Sequence, residues 1–183
     1  MEGIVEVLGI RYKVKRLLGH GKGGYSYLAE SDEKEVVVKK IHHEPCSYYH
    51  FGNKIEAEKN DYERLKETGI RMPKMIAVDE IREIIVKEYV EGETIFDLVL
   101  KNQVTEDHFL QVRDMADKCR RKGLNIDYFP TNFVVKDGKL YYVDYECNAY
   151  SDEWNFENWG CLYWKMSDEM KKYLEEKQDD GKF

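Results

Sequence analysis

Gly19-His20-Gly21-Lys22-Gly23-Gly24 constrains the fold of this chain more than any other stretch, because the residues beyond it narrow the kinds of loop it can be. Glycines at such spacing serve several kinds of loop, and the flanking structure separates them. A dinucleotide-binding loop requires a helix straight after its glycines. Here Tyr25-Ser26-Tyr27-Leu28 alternates as a strand does and leads through the polar turn Ser31-Asp32-Glu33-Lys34 to Val36-Val37-Val38-Lys39. A loop of the Gly-Lys-Ser/Thr kind is excluded as well, since Gly23 follows Lys22. What remains is a glycine loop between two strands. There, residues without a Cβ let backbone N–H groups close over phosphate oxygens. The plainer alternative is a simple glycine hairpin.

The rest of the first half reads as an antiparallel sheet with one helix. Tyr12, Val14, Arg16 and Leu18 alternate before the loop, Val36 to Ile41 form a strand after it, and Ile4 to Leu8 supply a further edge strand. Asn53 caps a helix with Glu56 three residues in, and the helix stops near Gly69 with Pro73 beyond. Ile55, Glu58, Tyr62 and Leu65 share one face of it, so Glu58 points inward. Lys39, behind three valines in a buried-type strand, is costly unless its ammonium meets a partner and a ligand. Glu58 is the expected partner; an ordinary surface pair on a charged helix is the alternative. Ala77 to Val78 and Glu83 to Tyr89 read as two more strands, and Glu91-Gly92 marks a change of character.

Beyond that point helices dominate. Thr94 caps against Asp97, and Thr105 leads a longer helix that ends in Arg120-Arg121-Lys122-Gly123, cations at the negative end and glycine past it. Asp137-Gly138 predicts a hairpin between Phe133 to Val135 and Leu140 to Val143. The segment Trp154 to Trp164 is predicted to start another helix, and the charged stretch from Ser167 to form the last.

With 36 acidic against 29 basic residues, a net charge of -7 argues against a mainly electrostatic grip on nucleic acid or on an anionic membrane surface, a local basic patch being the alternative. No stretch has the apolar length that spans a bilayer and no signal peptide is evident, so a cytoplasmic protein is expected. Cys46, Cys119, Cys147 and Cys161 lie far apart and read as reduced thiols. His42, His43, Glu44, Cys46 and His50 cluster without regular ligand spacing, and zinc is not expected from them.

Taken in order and spacing, the glycine loop, the Val-Val-Val-Lys strand, Asn125-Ile126-Asp127 running to Asn132, and Val143-Asp144-Tyr145-Glu146 resemble the protein-kinase-like superfamily from about Leu18 to Trp164. The resemblance implies an α+β bilobal fold. Residues 1–90 would form a small antiparallel β N-lobe with one helix, and 91–183 a reduced, mainly helical C-lobe. It also implies ATP with Mg²⁺ in the cleft and transfer of the γ-phosphoryl group to a hydroxyl. Gly19, Gly21 and Gly24 would cover the phosphates, and Lys39, held by Glu58, would contact them. Asp127 would act as base or orienter, with Asn132 and Asp144 on the metal. The Glu88 carbonyl and the Val90 N–H would hold adenine. Outside that resemblance, Asp127 and Asn132 are turn formers around Pro130 and Asp144 is a strand-end cap.

Several positions depart from conventional protein kinases. Asn125 stands in place of the catalytic-loop His, and Phe129 in place of a Lys. Thr131-Asn132 is similar to the Bud32 and RIO kinases. Asp144-Tyr145-Glu146 resembles choline kinases and aminoglycoside phosphotransferases more than Asp-Phe-Gly, and an Ala-Pro-Glu segment with its long activation loop is missing. Lys87 stands where kinases keep an uncharged gatekeeper. The acceptor therefore stays open between a protein Ser/Thr hydroxyl, including autophosphorylation, and a small alcohol. For the latter, Tyr150, Trp154, Trp159 and Trp164 would line a cation–π pocket rather than pack a core. A third reading is an ATP-binding regulatory module without catalysis. Oligomeric state and protein partner are not legible.

Overall fold

Alternation along the valine strand sets the architecture of the first half. In the computed structural model, which describes residues 3–21, 23–44 and 53–179, strand β4 (Lys34–Ile41) sends Val36 and Val38 to one face and Val37, Lys39 and Ile41 to the other. Lys22, Cys46 and His50 lie outside the described residues. β4 is the third strand reached after β1 (Ile4–Val7), in a six-stranded antiparallel sheet with β2 (Ile10–His20), β3 (Gly24–Ser31), β5 (Met75–Asp79) and β6 (Ile84–Glu88). The order is β1-β2-β3-β4-β6-β5, which puts the apolar β6 between two neighbours, as its composition predicts. β2 does not alternate cleanly. Its register against β3 slips between Val14 and Arg16 and again between Leu17 and Gly19, so Arg16 is exposed while Tyr12 is buried.

The two faces of this sheet have separate cores. Val36, Val38, Ile84 and Val86 join Val7, Tyr12 and Ala29 on one side. On the other, Ile41 and Ile85 pack with Ile55 of helix α1 (Lys54–Lys66). Asn53 Oδ1 accepts the Glu56 N–H at 3.2 Å at the start of α1, and Gly69 takes a left-handed φ of 74° past its end.

The chain divides into two compact units, the first comprising residues up to Glu63 with Pro73–Tyr89, the second Arg64–Met72 with the residues from Val90 onward. In the second unit, Thr94 and Asp97 form a reciprocal capping box at the start of α2 (Ile95–Leu100), and Thr105 forms one with His108 at α3 (Glu106–Arg121). Gly123, at φ 69°, ends α3. β7 (Glu93–Thr94) pairs with β9 (Phe133–Lys136), which forms the expected hairpin with β10 (Lys139–Tyr142) around Asp137 and Gly138, both at positive φ. β8 (Leu124–Ile126) pairs with β11 (Cys147–Ala149). A single core of Leu98, Val112, Met115, Phe133, Leu140, Tyr142, Trp164 and their neighbours joins these elements.

One predicted helix is absent. Between Trp154 and Trp164 the chain makes turns and a short 3-10 stretch, Gly160–Leu162, before α4 (Asp168–Asp179). Its backbone bonds span unequal steps: Gly160 N–H reaches Asn155 O, Cys161 N–H reaches Phe156 O, and Tyr163 N–H reaches Gly160 O. Asn155 Oδ1 accepts the Asn158 N–H at 2.8 Å, and Asn158 Nδ2 donates to Asp152 O at 2.7 Å. Such local side-chain bonds offer the backbone an alternative to helix. Gly160 also presses on Tyr128, whose Cβ would lie 2.5 Å from any Cβ added there. Close packing has overridden aromatic periodicity.

Candidate functional site

The candidate residues fall into two groups, one in each unit. In the first, strand alternation turns Lys39 toward α1, and the helix face carrying Ile55 brings Glu58 to meet it. Lys39 Nζ lies 2.7 Å from one Glu58 carboxylate oxygen and 2.9 Å from the other, with the two side chains only 12% and 10% exposed. An ion pair this sheltered is held in one geometry, which a surface pair is not. The glycine loop lies against the same ammonium: a Cβ on Gly23 would sit 3.6 Å from Lys39 Nζ. Gly21 N–H donates to Gly24 O at 3.0 Å and closes the loop. Gly19 pairs with Ser26, and neither Gly19 nor Gly21 has any described protein atom within 4 Å of where a Cβ would stand. Gly24 differs, since a Cβ there would collide with the Lys40 carbonyl of the neighbouring strand.

Glu88 ends β6 and is tied to Lys74 twice. Its N–H donates to Lys74 O at 3.0 Å, and its Oε2 accepts the Lys74 N–H at 2.9 Å. Lys87 is buried, on the sheet face of Ile85 and opposite Val37. Val90 is a buried residue of the second unit.

In that unit, Asp127, Asn132 and Asp144 are all half-buried and gathered by backbone bonds. Asp127 Oδ1 accepts the Phe129 N–H at 3.0 Å, which fixes the carboxylate over the loop. Asn132 Nδ2 donates to Asp127 O at 3.3 Å, and Val143 N–H donates to Asn132 O at 2.9 Å, so the residue before Asp144 is fastened to the same loop. Asp144 Oδ1 accepts the Tyr145 N–H at 2.8 Å.

Sequence reasoning missed the residue that joins these pieces. Tyr142 reads as an apolar hairpin position, yet its fully buried hydroxyl accepts the Asp127 N–H at 3.3 Å and donates to Glu146 O at 2.8 Å. Burial, then the nearby Asp144 and Asp127 carboxylates, push its phenol well above the ordinary tyrosine range, so it stays a neutral hydroxyl. Its hydroxyl bridges the loop after β8 to the loop before β11. Trp164 adds a second anchor by donating its indole N–H to Tyr128 O at 2.8 Å.

Trp164 is fully buried in the core, whereas Trp159 is half-buried and packs edge-on at 5.8 Å against Trp154, which is exposed. Among the described residues no helix is long and apolar enough to cross a membrane.

No protein-family profile matches the chain. Curated relatives do. The chain is 26% identical over 159 residues to the KEOPS complex subunit Bud32 of Pyrococcus abyssi (strain GE5 / Orsay), covering 75% of this chain and 69% of that protein. It is 27% identical over 160 residues to CBL-interacting serine/threonine-protein kinase 2 of Arabidopsis thaliana, covering 83% of this chain and 35% of the relative. CBL-interacting protein kinase 12 of Oryza sativa subsp. japonica is 28% identical over 158 residues, with 81% and 29% covered. The chain thus spans about a third of the length of the plant kinases it matches. Its α+β architecture and these relatives agree with the resemblance carried by the glycine loop and the two aspartate segments, that of a protein-kinase-like chain.

Proposed function

We propose that this chain is an ATP-dependent phosphotransferase that moves the γ-phosphoryl group to a serine or threonine hydroxyl of a protein. The observation that carries the reading is the sheltered Lys39–Glu58 pair at 2.7 Å beneath Gly23. A lysine fixed beside backbone that lacks side chains is suited to phosphate oxygens. In this reading 1–90 is the N-lobe and 91–183 the C-lobe. Gly19, Gly21 and Gly24 lie over the phosphates, and the backbone of Glu88 and Val90 holds adenine.

Asp127 orients the acceptor hydroxyl and takes its proton, with Phe129 N–H holding the carboxylate in place. Asn132 donates its amide N–H to Asp127 O at 3.3 Å, and in this reading its amide oxygen joins the Asp144 carboxylate as a metal ligand. These hard oxygens suit Mg²⁺, which when bound would neutralise phosphate charge. The burial of Trp164 in the core, which removes it from any aromatic pocket, favours a protein acceptor over a cationic alcohol.

The test is transfer of label from γ-labelled ATP with Mg²⁺, using purified wild type, Asp144→Asn and Asp127→Ala. Labelled protein in the wild type, lost in both variants while ATP binding survives in Asp127→Ala, is the expected result. Nucleotide binding without any label, on itself or on added protein substrates, would favour a non-catalytic regulatory module.

A further inference from the structure

We propose that His20, His42 and Glu44 form a binding site for a divalent transition-metal ion of the zinc type at the foot of the glycine loop. The proposal is independent of the phosphotransferase reading. His20 ends β2 while His42 and Glu44 follow β4, so their neighbourhood is made by strand pairing and is invisible to ligand spacing along the sequence. His20 Nε2 lies 3.2 Å from His42 Nε2 and 3.5 Å from Glu44 Oε2, and one donor atom from each of the three residues falls within 4.8 Å of the others. Ligands of a tetrahedral zinc ion, with bonds near 2.0–2.1 Å, stand about 3.3 Å apart. The two measured separations bracket that edge length. Two imidazoles and a carboxylate are a borderline donor set, matched to zinc rather than to Mg²⁺.

Tyr25 supports all three groups. Its ring stacks on His20 with centroids 4.1 Å apart and planes 3° off parallel, and meets His42 edge-on at 5.3 Å. Its hydroxyl donates to Glu44 Oε1 at 2.6 Å, which leaves Oε2 as the oxygen turned toward His20. Outer contacts of this kind orient metal ligands. His43, by contrast, is engaged with Glu83 at 2.6 Å and is not a ligand. An ion at His42 Nε2 must displace the contacts of that nitrogen with Gly21 O at 2.9 Å and with His20 Nε2 at 3.2 Å, and because the neutral ring then carries its proton on Nδ1, the bond from Glu44 N–H to Nδ1 at 3.2 Å is given up as well. Binding therefore shifts the His42 proton from Nε2 to Nδ1, with no net loss from the neutral ring. Since His20 precedes Gly21, a bound ion would tether the glycine loop to the end of β4.

Zn²⁺ binding to the full chain, read by competition with a chromophoric chelator, tests the site. Wild type and His43→Ala should each take up one ion with the same affinity, as should Asp144→Asn. His20→Ala and His42→Ala should each lose at least tenfold in affinity, and Tyr25→Phe about tenfold. Co²⁺ should give the wild type, and neither His variant, the intense visible bands of a four-coordinate site. Circular dichroism of each variant verifies the fold. Uptake unchanged in both His variants, or lost equally in His43→Ala, would overturn the proposal, as would no uptake by the wild type.

Discussion

Replacing Trp164 with Phe isolates the anchor behind the Asp127 loop. The indole is fully buried, with Phe133 and Phe156 edge-on to it at 5.0 and 5.3 Å, and its N–H donates to Tyr128 O at 2.8 Å. A phenyl ring keeps most of the packing but cannot donate. Leaving that carbonyl without its donor costs about 1–3 kcal/mol, and the void left by the smaller ring adds about 1 kcal/mol. The expected loss is roughly 2–4 kcal/mol, the sum of these two effects. At a urea dependence of about 2 kcal/mol per molar, the unfolding midpoint should fall by roughly 1–2 M. Trp154→Phe is the internal control, because Trp154 is 52% exposed and its substitution should stay within about 0.5 kcal/mol. Urea titrations followed by far-ultraviolet circular dichroism compare the two. Equal midpoints for the two variants would refute the idea that the Tyr128 carbonyl depends on the buried indole.

The glycine loop and the thiols supply two further predictions. Gly24→Ala should lower stability by about 1–3 kcal/mol, because its Cβ meets the backbone of Lys40 and relief requires opening the β3–β4 pair; Gly21→Ala, with open space around it, should hardly move the melting temperature in the same thermal scan. Burial pushes the Cys119 thiol up to about 11, so at pH 8 only on the order of one molecule in a thousand carries the reactive thiolate there. Peptide mass spectrometry after iodoacetamide should find Cys119 unlabelled in native protein and labelled in urea, and equal labelling in both would contradict its burial.

Local rules reached most of the elements and the pairing of Lys39 with Glu58. Glu58 is identifiable because its helix face is marked by Ile55 and Leu65, and β4 announces its buried faces through three valines. Capping at Asn53, Thr94 and Thr105 and the Asp137-Gly138 turn are encoded within four residues, where one sequence suffices. What stayed hidden depends on register and packing. His20 and His42 are 22 residues apart and meet only because β3 threads between them, with two slips of register on β2. Tyr142 looks like any aromatic strand residue until its hydroxyl is placed between two loops. From Trp154 to Trp164 the helical spacing of aromatics was outweighed by asparagine side chains and by Gly160 seated on Tyr128.

The manner in which the six-stranded sheet ends bears on how readily its edges can pair with another molecule. Val5 of β1 and Ala77 of β5 belong to the two outermost strands, yet both pack against the cluster of Tyr12, Val38 and Val86. The sheet must roll for that to happen, and a rolled edge is a poor template for the straight strand of another molecule. The slip of register between Met75 and Ala77 bends β5 further. Ile4 and Leu8 are exposed along the other edge, which would invite intermolecular pairing on a flat sheet. Curvature, in addition to net charge, makes these edges poor templates for propagation into aggregates.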